Sequence, residues 1–406
     1  MVSKRKYILT ILVVVIVTVF LTLSFGQVFL AEIGQKVYLS KEEYGQMREM
    51  YEKYAKQEGL MQIAKKEFLY EADEEVMLEG ALQGTLKALD DPYTQFMTKE
   101  EFESLMQDTE GSYSGIGVYI TASDDNKIII VSPIEDTPAE KAGLKTGDKI
   151  FRINGVEYTA DKINAAVKVM KGEPGTSVTL TIQRESADGT QNVSDVVVNR
   201  EKIKMKTVKP AMLGEDIGYI RITTFDMQTA NDFKTAYETL KSKGIKGLVI
   251  DLRFNGGGML NATVDITDIF TGEGIVTYTK TKSGEIEYFK SDEEKEDIPI
   301  VLLINEGSAS ASEIMAGAMK DTKRAVLVGK KTFGKGIVQK VQEFGNDGEG
   351  IKMTVSEYFT PSGINIHGIG IEPDIEVELP EDAEGYGYEF FETDTQLKKA
   401  VEVLNR

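Results

Sequence analysis

The stretch that decides the fold is Ile300-Val301-Leu302-Leu303-Ile304-Asn305-Glu306-Gly307-Ser308-Ala309-Ser310-Ala311-Ser312-Glu313. Five aliphatic residues in a row suit a strand covered on both faces, as in a parallel sheet. Small residues then turn the chain, and the segment from about Ala311 to Lys320 reads as a helix. A strand that turns directly into a helix presents a side chain at its carboxyl end, where α/β sheets place their ligands. The helix start adds free N–H groups and partial positive charge, which suit a developing oxyanion. The alanines at 309 and 311 leave clearance for a substrate backbone. The plainer reading makes Ser308 or Ser310 only the N-cap of that helix.

Working outward, the flanking segments repeat the strand–helix texture. Ile217 to Ile222 reads as a strand, and Ala230, Phe233, Tyr237 and Leu240 mark a helix ended at Gly244. A second apolar strand covers Leu248 to Leu252, followed by Asn255-Gly256-Gly257-Gly258, a helix from about Leu260 to Phe270, and a later strand from Ala325 to Gly329. Alternating strands and helices predict an α/β core. Upstream, residues 111–186 carry glycine-rich turns and short strands, with Ile128 to Val131 a buried strand, Ala139 to Ala142 a short helix, Asp161 to Met170 helical and Ser177 to Ile182 alternating as a strand. Residues 40–106 read as helices. Ser40 and Glu43 have capping-box spacing, as do Thr98 and Glu101, and Met47, Met50, Tyr51 and Tyr54 form one stripe, with Leu78, Leu82, Leu86 and Leu89 a second. Packing accounts for such stripes, with self-association as the added expectation.

The chain has 406 residues, no cysteine, a single histidine and a formal net charge of −19. That charge argues against general nucleic-acid binding, which needs a basic face. Without cysteine there is no disulfide, thiol catalysis or thiolate metal site, and one histidine makes a His-rich zinc site a poor candidate. Lys4-Arg5-Lys6 precede an uncharged run from Tyr7 to Ala31. About 20 apolar residues cross a bilayer, and the basic cluster keeps its own end in the cytoplasm. No A-x-A cleavage site follows, so the pattern predicts an uncleaved transmembrane anchor with the rest of the chain exported.

A serine nucleophile needs a proton acceptor. His367 lies in a strand-and-turn context far along the chain, and a lone histidine is usually structural. The other option is a lysine kept neutral by burial, since an ordinary lysine titrates near about 10.4. Lys335 in Thr332-Phe333-Gly334-Lys335-Gly336-Ile337-Val338-Gln339 has glycines that let the chain bend and apolar neighbours that can desolvate it. In an extended segment Lys335, Ile337 and Gln339 share a face, so Gln339 can orient the lysine as a third group orients a base.

Together these segments resemble the C-terminal processing peptidases, or tail-specific proteases, which are serine peptidases with a serine–lysine dyad. The resemblance covers most of the chain. It rests on Ser308-Ala309-Ser310-Ala311-Ser312-Glu313 with Thr332-Phe333-Gly334-Lys335-Gly336, on Asp251-Leu252-Arg253-Phe254-Asn255-Gly256-Gly257-Gly258, on Gly368 to Asp374, and on Leu89-Asp90-Asp91-Pro92-Tyr93. It implies Ser310 as nucleophile, Lys335 as general base and Gln339 as the orienting member, with Ser308 and Ser312 structural. It implies an oxyanion hole from the N–H groups of Ala311, Gly257 and Gly258; family members often have proline where Gly256 stands. Residues 111–186 resemble a PDZ domain, with Gly115, Ile116, Gly117 and Val118 as its carboxylate-binding loop. Where some relatives carry a substrate-sensing arginine this chain has Lys171, a point charge rather than a bidentate fork.

The expected organisation is a cytoplasmic tip and transmembrane anchor over 1–31, a helical region over 32–109, a PDZ-like domain over 110–186, an α/β peptidase core over 187–380, and a C-terminal segment over 381–406 that completes the core or a dimer contact. The expected function is a membrane-anchored serine endopeptidase on the extracytoplasmic side of a bacterial membrane, cutting proteins near their free C-termini. It needs no metal or other cofactor, binds no nucleic acid and forms a homodimer. The rival is a membrane-tethered PDZ scaffold with an inactive core.

Overall fold

The computed structural model describes residues 6, 9–20, 39–123, 125–185, 189–380 and 383–406. The strand Ile300–Ile304 is buried at every residue and lies inside a six-stranded sheet. The order is Val208–Leu213, Ile217–Ile222, Gly247–Asp251, Ile300–Ile304, Ala325–Gly329, Ile375–Glu376, and only the first pair is antiparallel. Helices Thr229–Ser242, Leu260–Thr271 and Ala311–Asp321 bring Phe233, Tyr237, Phe270, Met315 and Met319 into one core cluster. Helix Thr395–Leu404 brings Leu397 and Ala400 into another, with Val249, Val301 and Leu303. Each large aliphatic side chain buried this way contributes about 1.5–3 kcal/mol. The α/β core read from the sequence is therefore present, and the C-terminal segment belongs to it.

A second sheet was not foreseen. It runs Gln95–Met97, Glu349–Phe359, Gly274–Thr281, Ile286–Ser291, with Ile337–Phe344 also paired to Glu349–Phe359. Gln95–Met97 falls in the region expected to be only helical, yet it pairs with Gly350, Ile351 and Lys352 deep in the peptidase portion.

The PDZ-like domain is a sheet ordered Val118–Ala122, Ile128–Pro133, Lys149–Ile153, Ser177–Glu185, Gln191–Asn199, flanked by helix Ile163–Met170. Its expected end at 186 is corrected. Ser177–Glu185 pairs with Gln191–Asn199 from Ser177↔Asn199 to Glu185↔Gln191, so the domain runs on to Asn199. Arg200 closes it, donating to the carbonyls of Val169, Met170 and Ser177. Ser112–Gly115 and Glu201–Lys204 then pair at the domain's entry and exit.

The described residues divide into two units between Leu82 and Gln83. In the first, helix Lys41–Glu67 opens with the expected capping box, Ser40 and Glu43 exchanging hydrogen bonds. Its stripe of Met47, Met50, Tyr51 and Tyr54 is exposed. Within the expected anchor, residues 9–20 are helical; residues 1–5, 7–8 and 21–31 lie outside the described residues. No helix among the described residues is long and apolar enough to cross a membrane.

Candidate active site

The three alternating serines have three different environments. Ser308 is fully buried; its hydroxyl donates to the Leu252 carbonyl at 2.8 Å and accepts the Asn305 N–H at 3.0 Å. Ser312 is fully buried and donates to the Asn255 carbonyl at 2.8 Å. Ser310 alone lines a cavity of about 460 Å³. It sits between strand and helix with φ 54° and ψ −115°. A non-glycine residue at positive φ is held against its preference by its surroundings, and strained strand-to-helix turns of this kind expose nucleophiles in other hydrolases.

What holds it is Glu313, fully buried one helical turn on. Its side chain accepts four hydrogen bonds: from the Ser310 N–H at 2.9 Å, the Thr332 hydroxyl at 2.6 Å, the Gly334 N–H at 2.7 Å and the Lys335 N–H at 2.8 Å. One carboxyl group thus ties the backbone of the candidate nucleophile to that of the candidate base. Tyr358 adds a hydrogen bond from its hydroxyl to the Ser310 carbonyl at 3.1 Å. Burial, then the nearby Glu313, pushes Tyr358 well above its usual range, so it stays a donor. The capping-box spacing of Ser310 and Glu313 was the available sequence signal for this clamp; Tyr358 had none.

Lys335 lines the same cavity, half-buried, with Gln339 and a second lysine, Lys352. Burial lowers its pKa first, and the charge of Lys352 lowers it further, against Asp91 and Glu313. That direction suits a base. In this structure no hydrogen bond joins Lys335 to Ser310 or to Gln339; the Lys335 Nζ lies 4.5 Å from the Tyr93 ring centroid, and Gln339 donates to Thr354 Oγ1 at 3.4 Å. The expected alternation is interrupted by a register shift between Val338 and Gln339. His367 is exposed and absent from this lining.

Of the expected oxyanion donors, Ala311 and Gly258 line the cavity and their amides carry no hydrogen bond among the described residues. Gly257 does not fit the expectation. Its N–H already donates to Asn255 Oδ1 at 2.9 Å. Its role is steric: at φ 104°, a Cβ there would lie 2.8 Å from Ser310 Cβ and 2.9 Å from the Ala311 nitrogen. Asn255, fully buried, links the turns by also donating to the Ile222 carbonyl and accepting the Ala309 N–H.

A separate cavity of about 220 Å³ in the PDZ-like domain is lined by all five expected residues, Gly115, Ile116, Gly117, Val118 and Lys171, together with Tyr113 and Met170. The amides of Ile116 and Gly117 have no partner among the described residues. Gly117 has φ 82°, and a Cβ there would strike the Thr137 side chain at 2.4 Å. Lys171 Nζ lies 5.6 Å from the Tyr113 ring centroid.

An α/β core with one cavity-lining serine at a strand-to-helix turn, a half-buried lysine in the same cavity and an inserted PDZ-like domain defines a serine peptidase of modular build. Comparison with known proteins gives its family. Residues 216–377 match Peptidase family S41, residues 129–184 a PDZ domain, and residues 18–101 the activating protease CtpB N-terminal domain. The chain is 39% identical over 345 residues to a carboxy-terminal-processing protease of Bartonella bacilliformis, covering 83% of this chain and 78% of that one. It is 36% identical to the carboxy-terminal processing protease CtpA of Bacillus subtilis, covering 84% and 73%. A solved structure of a putative S41 protease from Bacteroides fragilis shares the fold at TM-score 0.51 and 16% identity, covering 80% and 90%. The chain belongs to the C-terminal processing peptidases of family S41, and it is a serine-type protease.

Proposed function

We propose that this chain is a carboxy-terminal processing endopeptidase that works through Ser310 and Lys335. The observation that carries the proposal is the sorting of the serines: two are locked in buried hydrogen bonds, and the third stands in a cavity with a half-buried lysine. Neutral Lys335 takes the Ser310 hydroxyl proton as Oγ bonds to the scissile carbonyl carbon. The oxyanion forms against the amides of Ala311 and Gly258. Lys335 returns its proton to the leaving amine as the C–N bond breaks, and water then releases the acyl group by the same route. Gln339 orients the lysine once substrate is bound.

The PDZ-like domain captures the free C-terminus of a substrate protein. The open amides of Ile116 and Gly117 support carboxylate capture, the edge of Val118–Ala122, unpaired among the described residues, supports addition of an extended tail, and Lys171 supplies positive charge. The basic and apolar sequence over 4–31 supports a single-pass anchor with the catalytic part outside the cytoplasm. The exposed stripe on helix Lys41–Glu67 supports a homodimer.

The test is digestion of an unfolded protein by the chain and by Ser310→Ala and Lys335→Ala. Each substitution is expected to lower the rate on the order of 10³-fold or more. Variants that cut as fast as the parent, or a parent that cuts nothing, sink the proposal.

A further inference from the structure

The contact between Lys335 and Tyr93 has no place in the chemistry above. At 4.5 Å from the ring centroid, the ammonium is within range of a cation–ring attraction. Tyr93 comes from outside the segment that matches family S41, in the turn before strand Gln95–Met97, and that turn is built to hold it. Asp91 accepts the Tyr93 N–H at 3.0 Å and the Thr94 hydroxyl at 2.6 Å. The Thr94 hydroxyl oxygen accepts the Thr354 N–H at 3.0 Å, and Gln95 pairs with Lys352. The ring is thereby fixed to the strand that forms one wall of the catalytic cavity.

The ring attracts only the protonated lysine; a neutral amine gains almost nothing from it. The other charged groups acting on Lys335 are Asp91 in the same turn, Glu313 on the nucleophile's helix and Lys352 on the neighbouring strand. Among the described residues no ion pair joins Lys335 to either acid: Asp91 accepts from Tyr93 and Thr94, and the Glu313 side chain is occupied by backbone and Thr332. The ring face is therefore the one direct resting place for the ammonium among the described residues.

We infer that Tyr93 is a positioning residue for the base: its ring holds Lys335 as a parked cation, and the lysine must leave that face to accept the Ser310 proton. The inference rests on the reading of Lys335 as base. It explains why two residues of one cavity share no hydrogen bond in this structure. It also gives the segment before the PDZ domain a direct hold on the catalytic lysine.

The first test needs no activity. Lysine amines of the Ser310→Ala chain are labelled with acetic anhydride across a pH series, and Lys335 is followed by peptide mass spectrometry. Adding Tyr93→Leu is expected to raise Lys335 labelling at a fixed pH below its titration by about two- to fivefold, the size of such a contact. Tyr93→Phe, which keeps the ring face, is expected to leave it unchanged. Should Tyr93→Leu not fold, pentafluorophenylalanine at position 93 keeps the shape, reverses the charge of the face and must raise labelling likewise. Unchanged or lower labelling without the ring face, or a rise in Tyr93→Phe equal to that in Tyr93→Leu, overturns the inference. In the active chain, Tyr93→Leu is expected to move the acidic limb of kcat/KM to lower pH. If Lys335→Ala still cuts, the base reading fails while the labelling result stands by itself.

Discussion

Lys352 shows how one side chain away from the reacting atoms sets the condition of another. It lines the cavity with Lys335, and its charge is the second cause, after burial, of the lowered Lys335 pKa. A lysine with a lowered pKa is neutral over a wider range, so activity that needs the free amine rises with pH through that value, below the ordinary 10.5. Lys352→Gln removes a like charge and lets the pKa climb. The acidic limb of kcat/KM is then expected to move to higher pH, with slower cutting near neutrality. A pH–rate series on a fluorogenic peptide checks this, and a limb that stays put or moves to lower pH counts against it. At this scale the sequence was readable where spacing carried the signal. Family resemblance points to Ser310 over Ser308 and Ser312, and in the structure the outer two are committed to the carbonyls of Leu252 and Asn255. Gly257 misled because a glycine turn announces open amides, and here a side chain two residues back already holds that amide.

Among elements, the joint between the motif after strand Gly247–Asp251 and the last helix governs stability. Arg253 is 1% exposed and donates to both oxygens of Asp251, both oxygens of Asp394 and Gln396 Oε1. Tyr219 completes the cluster with a hydrogen bond to Asp251 at 2.8 Å. Burial works against the Arg253 charge, but Asp251 and Asp394 outweigh it and hold the guanidinium above its ordinary range. Asp394 also caps the helix Thr395–Leu404 through the Leu397 N–H at 2.9 Å. Arg253→Ala strands two buried carboxylates, and loss of one member of such a set costs about 3–5 kcal/mol. Urea unfolding followed by circular dichroism measures it; a loss under about 1 kcal/mol would show the cluster to be solvated in practice. The parallel strands were legible because burial on both faces makes them continuous apolar runs. The second sheet was not. Ile286–Ser291 exposes most of its residues, and Ile337–Phe344 is exposed from Lys340 onward, so neither carries an apolar run or a clean alternation.

At the scale of the whole molecule, two cavities lie on one unit, and Asp108 lines both. On the proposed function, capture and cutting can then be separated by substitution. Gly117→Val forces a branched side chain into φ 82° and against Thr137. It is expected to weaken binding of a labelled peptide with a free C-terminus at least tenfold by fluorescence anisotropy, about 1.4 kcal/mol, and to bring the peptide toward the behaviour of its amidated form. Equal affinity before and after substitution, with the free acid still preferred, places tail binding elsewhere.

The pairing of Gln95–Met97 with Glu349–Phe359 bears on the order of events in biosynthesis. The first of these strands is made before the PDZ domain and the second long after it. A growing chain can complete the PDZ sheet while the peptidase wall still waits for its partner. Tyr93 and Lys335 meet only when the two ends of that separation are joined. The cavity wall thus assembles only after the PDZ-like sheet can already be complete, and a partly synthesised copy carries that folded domain before the wall around Ser310 and Lys335 has closed.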